Sequence, residues 1–125
     1  MRRVLYIEDN PDNRMLVRRV LMASDYEFEV LEAENAIDGI EIAVTKTPDL
    51  ILMDISMPEM DGLTATRKLK TMPELKGVPI VALTANAMEK DESQAVAAGC
   101  DGFIRIPIDI DRLPNDIMSY IRSEA

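Results

Sequence analysis

Three acidic residues follow apolar runs in a pattern that could hold a metal ion. Glu8 and Asp9 come directly after the apolar residues 4–7, and Asp54 follows the apolar residues 50–53. Two carboxylates about 4 Å apart repel each other by ~4 kcal/mol at an effective dielectric of roughly 20, so a cluster of them needs a cation. Oxygen ligands without histidine or thiol favour a hard ion. We therefore expect Glu8, Asp9 and Asp54 to bind Mg²⁺.

Asp54 is the member of this group best placed for group-transfer chemistry. The residues that follow it, 55–58, end in a proline and do not let it cap an immediate helix. An aspartate beside a cation can attack phosphorus and become an acyl phosphate. We expect Asp54 to accept a phosphoryl group. For Glu8 and Asp9 the alternative is a solvated turn ahead of a helix.

Thr84 closes another apolar run, at residues 81–83. Its hydroxyl could donate a hydrogen bond to a phosphoryl oxygen at the same edge of a sheet. A threonine at the junction between a strand and a helix is also an ordinary helix cap. Its position alone leaves both roles open.

A scaffold of alternating strands and helices would position these residues. Short apolar runs, most of them continuous, predict buried parallel strands at residues 4–7, 28–31, 50–53, 80–83 and 103–106. Apolar residues at helical spacing predict helices between them, at Leu16, Val17, Val20 and Leu21, at Ile37, Ile40 and Val44, and at Leu113, Ile117, Tyr120 and Ile121. The predicted helix caps are Asn10, Asn35, Asn86 and Asp109. A further helix is expected after Asp61 and Gly62.

Strands that alternate with helices and right-handed crossovers predict a doubly wound α/β fold. We expect a five-stranded parallel sheet in the order 2-1-3-4-5, in which the first and third strands are neighbours. Ligands of such sheets bind outside the carboxyl ends of the strands, where the winding reverses. Glu8, Asp9 and Asp54 would meet at that point.

Composition narrows the class of protein further. A chain of 125 residues that is 47% hydrophobic predicts a single domain, residues 1–125, without an output domain. Its 14 basic and 23 acidic residues give a net charge of -9, which argues against direct binding to nucleic acid or an anionic membrane.

Cys100 is the single cysteine of the chain, so no internal disulfide can form. We expect it to be a small buried residue near the start of a strand, in a protein of a reducing compartment. The sequence contains neither a signal-peptide core nor an apolar run long enough to span a bilayer. A cytoplasmic location is therefore expected.

Several motifs in order resemble the receiver domain of two-component response regulators, of the chemotaxis-regulator type. They are VLYIEDN at 4–10, PDLILMD at 48–54, MPEMDG at 57–62, VALTA at 81–85 and GCDGF at 99–103. The resemblance covers essentially the whole chain and implies the flavodoxin-like (βα)5 receiver fold.

The resemblance also implies roles for individual residues. Asp54 would be the phosphoacceptor, Asp9 the more direct Mg²⁺ ligand of the acidic pair, and the main-chain carbonyl of Ser56 a further ligand. Thr84 matches the switch hydroxyl of the family. Phe103 matches its switch aromatic, with a plain core aromatic as the alternative.

One position departs from the family pattern. Receivers resembling this chain carry a lysine just before the proline that ends the fifth strand, and here Ile106 precedes Pro107. Isoleucine cannot pair with a phosphoryl group, so the phosphorylated state should be less stabilised. Arg105 could compensate only through a bulge, since neighbouring residues of a strand point to opposite faces. We favour a position of Arg105 on the outer face beside the last helices.

By this resemblance the chain is a signalling domain and not an enzyme. A histidine kinase or phosphotransfer protein would supply the phosphoryl group. A downstream protein would bind through the last strand and the last two helices, a surface that also fits a homodimer. One rival is a pseudo-receiver that binds partners without phosphorylation. The other, an aspartate-dependent phosphohydrolase, needs a second acid where Ser56 stands.

Overall fold

The computed structural model describes residues 2–54, 62–84, 99–105 and 108–124. Its strands are β1 (Arg2–Ile7), β2 (Phe28–Ala33), β3 (Leu50–Asp54), β4 (Ile80–Thr84) and β5 (Gly102–Arg105). Its helices are α1 (Pro11–Met22), α2 (Ala36–Lys46), α3 (Gly62–Lys70) and α4 (Leu113–Glu124), with a short 3-10 helix at Pro73–Leu75.

All pairs of neighbouring strands are parallel, and the sheet has the order β2-β1-β3-β4-β5. The predicted order is confirmed, and α3 begins at Gly62, one residue before the expected start. The helix expected after Asn86 lies outside the described residues. Within the described part of the chain, no helix has the length and apolar character needed to cross a membrane.

Helices cover both faces of the sheet because strand side chains alternate between its two sides. Val17 of α1 and Ile117 of α4 pack on the face that carries Tyr6. Ala43 of α2 and Ala65 of α3 pack on the other face. The apolar side chains of β1 and β3 are therefore excluded from water.

Helix α2 is present as predicted, but of its predicted apolar residues only Ile40 packs against the core, whereas Ile37 and Val44 are exposed. Ile37 is 60% exposed, and the buried residues are Ala36, Gly39 and Ala43. A Cβ atom at Gly39 would collide with the side chain of Ile7. Small residues therefore let α2 approach β1 closely.

The predicted caps at the first two helices are confirmed. Asn10 Oδ1 accepts hydrogen bonds from the backbone N–H groups of Asp12 at 2.8 Å and Asn13 at 3.3 Å. Asn35 Oδ1 accepts from the N–H of Asp38 at 2.8 Å. Such bonds satisfy donors that the first turn of a helix leaves free.

Asp109 caps a turn that leads into α4. Its Oδ1 accepts from the N–H of Asp111 at 3.1 Å, and its main-chain carbonyl accepts from the N–H of Leu113 at 3.0 Å.

Cys100 is a free, buried thiol two residues before β5, as expected. Burial raises the pKa of that thiol. The thiol therefore stays protonated at neutral pH.

Candidate metal centre

Glu8, Asp9 and Asp54 converge at the carboxyl ends of β1 and β3. Ile7 and Met53 are partners in the parallel register, so the residues that follow them lie side by side. Each of the three acids offers one carboxylate oxygen, and these oxygens all lie within 4.8 Å of one another. The predicted convergence is confirmed.

The three carboxylates differ in their access to water. Glu8 is 2% exposed and Asp54 is 6% exposed, whereas Asp9 lies on the surface. Asp9 is therefore the acid that an incoming ion meets first. Glu8 and Asp54 form the inner wall of the cluster, where low dielectric strengthens both repulsion between anions and attraction to a cation.

The strand end and the first turn of α1 hold Glu8 in place. Its N–H donates to the carbonyl of Ala33 at 3.0 Å, and its own carbonyl accepts from Nη1 of Arg14 at 2.7 Å. Its Oε1 accepts from Nδ2 of Asn13 at 2.9 Å. Asn10 begins α1 and so places Asn13 and Arg14 over the strand end.

Glu8 Oε2 is buried and has no hydrogen-bond partner among the described residues. The pKa of Glu8 is raised from 4.5 to about 8, first by burial and then by a hydrogen bond to Asp54 that can form only when Glu8 is protonated. The negative charges of Asp54 and Asp9 act in the same direction, and the bond from Asn13 opposes them. A buried, unpaired oxygen among carboxylates fits a hard divalent cation, which would relieve this repulsion.

Tyr6 lies below the cluster on the same face of the sheet. Burial, and then the negative charges of Glu8 and Asp54, raise the pKa of this phenol. Its hydroxyl has no hydrogen-bond partner among the described residues. The phenol of Tyr6 therefore stays protonated at neutral pH.

Comparison with known proteins shows what kind of domain carries this site. Residues 4–118 match the family described as response regulator receiver domain. The chain belongs to this family. The receiver is also 40% identical over 118 residues to the polar-differentiation response regulator DivK of Brucella anthropi, covering 94% of each chain.

Solved structures agree with this assignment. The receiver domain of the sensor histidine kinase PA1611 from Pseudomonas aeruginosa has a magnesium ion coordinated in its active site cleft. It matches with a TM-score of 0.87 at 30% identity, over 97% of this chain and 98% of that one. The chemotaxis protein CheY4 of Vibrio cholerae, at 24% identity, matches with a TM-score of 0.86 over 96% and 98% of the two chains. The latter likeness shows the shared receiver fold.

Among the other residues predicted for the receiver site, Phe103 is the one whose side chain the structure describes. Phe103 is partly buried and packs against the core on the side of α2 and α3. Thr84 ends β4, and its side chain lies outside the described part of the structure. Ser56 and Ile106 also lie outside the described residues. The core packing of Phe103 is observed, and its switch role stays a prediction.

Arg105 is the last residue of β5 and is exposed. It pairs with Thr84 in an uninterrupted parallel register with β4, so the strand carries no bulge there. Arg105 lines a surface groove together with Asp109, Asp116 and Tyr120. The structure thus places Arg105 beside the last helix, and compensation for the absent lysine stays a hypothesis.

Sequence reasoning did not single out Asn13 and Arg14, although both bond to Glu8. Asn10 and Pro11 mark the start of α1, and the third and fourth residues after a cap lie on the first turn. That turn sits directly over the strand end. Two polar residues at this spacing after a predicted cap therefore indicate side chains that can bond to the end of the preceding strand.

Proposed function

We propose that this receiver accepts a phosphoryl group on Asp54 in a Mg²⁺-dependent reaction. The observation that carries the proposal is the cluster of Glu8, Asp9 and Asp54, with oxygens within 4.8 Å of one another at the point where the sheet reverses its winding. Histidine and thiol groups play no part in this set, which suits Mg²⁺.

The ligands follow from exposure and from the family pattern. Asp9 and Asp54 would bind the ion directly, with the main-chain carbonyl of Ser56 as a further ligand. Glu8 would hold the ion from the buried side through Oε2. When bound, Mg²⁺ supplies charge neutralisation for the phosphoryl oxygens.

Asp54 would act as the nucleophile. One of its carboxylate oxygens forms a bond to phosphorus, while the bond from phosphorus to the donor's leaving group breaks and that group keeps the electron pair. With phosphohistidine as donor, the leaving imidazole then takes a proton from solvent. The donor would be a histidine kinase or a phosphotransfer protein. The acidic cluster, together with the lack of a second acid at Ser56, supports a signalling role over turnover of substrates.

Phosphorylation would then alter binding to a downstream protein. The surface we assign to this contact comprises β5, α4 and the helix expected between β4 and β5. Homodimerisation through the same surface and a cytoplasmic location remain predictions. Ile106 favours one alternative, a pseudo-receiver that binds partners without a phosphorylation switch.

The decisive experiment is incubation with Mg²⁺ and acetyl phosphate, followed by intact-mass measurement. The native chain should gain the mass of one phosphoryl group, and Asp54→Asn should gain none. Asp49→Asn is the matched control, because Asp49 directly precedes the opposite end of β3, where its carboxylate accepts from the N–H of Arg3. No gain on the native chain would favour the pseudo-receiver.

A further inference from the structure

Asn13 links the first turn of α1 to the acidic cluster. Its Nδ2 donates a hydrogen bond of 2.9 Å to Oε1 of Glu8. Its own N–H donates to Oδ1 of Asn10 at 3.3 Å, so the helix cap helps to set the position of the side chain. The cap, the amide and the carboxylate form a continuous chain of hydrogen bonds from helix to strand.

The remaining polar groups of Glu8 are also engaged, with one exception. Its N–H bonds to Ala33 and its carbonyl accepts from Arg14, which fixes the backbone on both sides. Oε1 accepts the hydrogen bond from Asn13. Oε2 of the ionised carboxylate is buried and has no partner among the described residues, because a hydrogen bond to Asp54 would need a proton on Glu8. The arrangement therefore leaves Oε2 of this carboxylate for an incoming group.

We propose that Asn13 is a positioning residue for the divalent cation. By occupying Oε1, it fixes the rotation of the Glu8 carboxylate and keeps Oε2 available to the ion or to a water bound to it. The inference rests on the proposed Mg²⁺ site of the receiver. Asn13 does not touch the reacting atoms, so its effect passes through Glu8.

Loss of this amide should weaken metal binding. Hydrogen-bond partners that orient metal ligands commonly contribute about 10–100-fold to metal affinity. Asn13→Leu keeps a similar shape and the backbone bond to Asn10 but removes the side-chain donor. We expect it to weaken Mg²⁺ binding by about tenfold. Asn13→Gln retains a primary amide and should recover part of that loss.

The test is calorimetric titration of Mg²⁺ into the metal-free chain. The variants are Asn13→Leu, Asn13→Gln, Glu8→Gln and the double variant Glu8→Gln with Asn13→Leu. Met15→Leu is the control on the same helix, since Met15 is 51% exposed. Urea unfolding of each metal-free variant measures any loss of stability separately from affinity.

The outcomes separate this inference from the proposed function. A weaker affinity in Asn13→Leu that disappears in the Glu8→Gln background supports positioning through Glu8. An equal loss in both backgrounds, or lower stability with unchanged affinity, overturns it and leaves the proposed function standing. If the native chain does not bind Mg²⁺, the metal step of the proposed function fails, and this inference fails with it.

Discussion

The buried carboxylates of Glu8 and Asp54 lie side by side at the ends of β1 and β3, with oxygens within 4.8 Å of each other. Because water is nearly excluded from both, the pKa of Glu8 is raised from 4.5 to about 8. The folded, metal-free chain therefore holds a proton on Glu8 at pH values where the unfolded chain has released it. Stability must then depend on pH and on metal.

The first prediction is that the metal-free receiver loses stability as pH rises between 4.5 and about 8. These are the pKa values of Glu8 in the unfolded and in the folded chain. In this window the folded state binds more protons than the unfolded state, so the contribution of Glu8 to the unfolding free energy falls by up to ~1.4 kcal/mol per pH unit. Below the window both states are protonated, and above it both are ionised. Urea unfolding with a chelator at a series of pH values measures the slope.

Two comparisons isolate the source of that slope. Glu8→Gln should be less dependent on pH than the native chain over the same window. Saturating Mg²⁺ should also flatten the dependence, because the ion binds the ionised carboxylates. Identical slopes in native chain and Glu8→Gln would show that another group is responsible.

The second prediction concerns Ile106, at the position where the resemblance to receivers leads us to expect a lysine. Ile106→Lys should strengthen binding of beryllofluoride, a phosphoryl analogue, by about tenfold or more, since a hydrogen bond to a charged group contributes ~1.5–3 kcal/mol. Calorimetry in the presence of Mg²⁺ gives the affinity.

Arg105→Met serves as the companion variant for this prediction. Arg105 lies beside the last helix, and we expect its removal to leave beryllofluoride affinity unchanged. A marked loss in Arg105→Met would mean that Arg105 takes the place of the lysine. Equal affinity in native chain and Ile106→Lys would show that a lysine at this position has no role in this receiver.

The third prediction concerns Asp101, which joins α3 to the start of β4. Its Oδ2 accepts from the N–H of Ile80 at 2.8 Å and from Nζ of Lys70 at 2.6 Å. Asp101→Ala should lower the free energy of unfolding by about 1–3 kcal/mol, because a buried backbone donor loses its acceptor.

Lys70→Met and Asp101→Asn are the matched variants for this site. The first removes a partly exposed ion pair, and the second keeps an acceptor for the N–H of Ile80. Each should cost less than about 1 kcal/mol. Denaturant unfolding ranks the three, and an equal cost for Asp101→Ala and Lys70→Met would assign the stabilisation to the ion pair.

The fourth prediction concerns the contact between Gly39 and Ile7. Alanine is favoured over glycine within a helix by about 1 kcal/mol, yet a Cβ at Gly39 would collide with the buried Ile7 side chain. Gly39→Ala should therefore destabilise the chain by about 1–3 kcal/mol. In an Ile7→Val background the cost should shrink, and thermal unfolding of the four chains tests this coupling. If Gly39→Ala stabilised the chain, the Ile7 side chain would have to repack around the added methyl group.

Much of this receiver follows from local patterns in its sequence. Apolar runs place five strands, and Asn10 and Asn35 mark helix starts, because burial and capping act over a few residues. Alternation of strands and helices predicts a doubly wound parallel sheet, for which 2-1-3-4-5 is one of the common orders. That order in turn predicts the meeting of Glu8, Asp9 and Asp54, since parallel strands bring their carboxyl ends to one edge.

Other features were decided only by the tertiary structure. Apolar spacing suggests Ile37 for the contact face of α2, but close approach to Ile7 selects Gly39 and its small neighbours. The bonds of Asn13 and Arg14 to Glu8 depend on where α1 sits over the strand end. Such contacts are set by distances between packed elements, which the periodicity of a single segment does not contain.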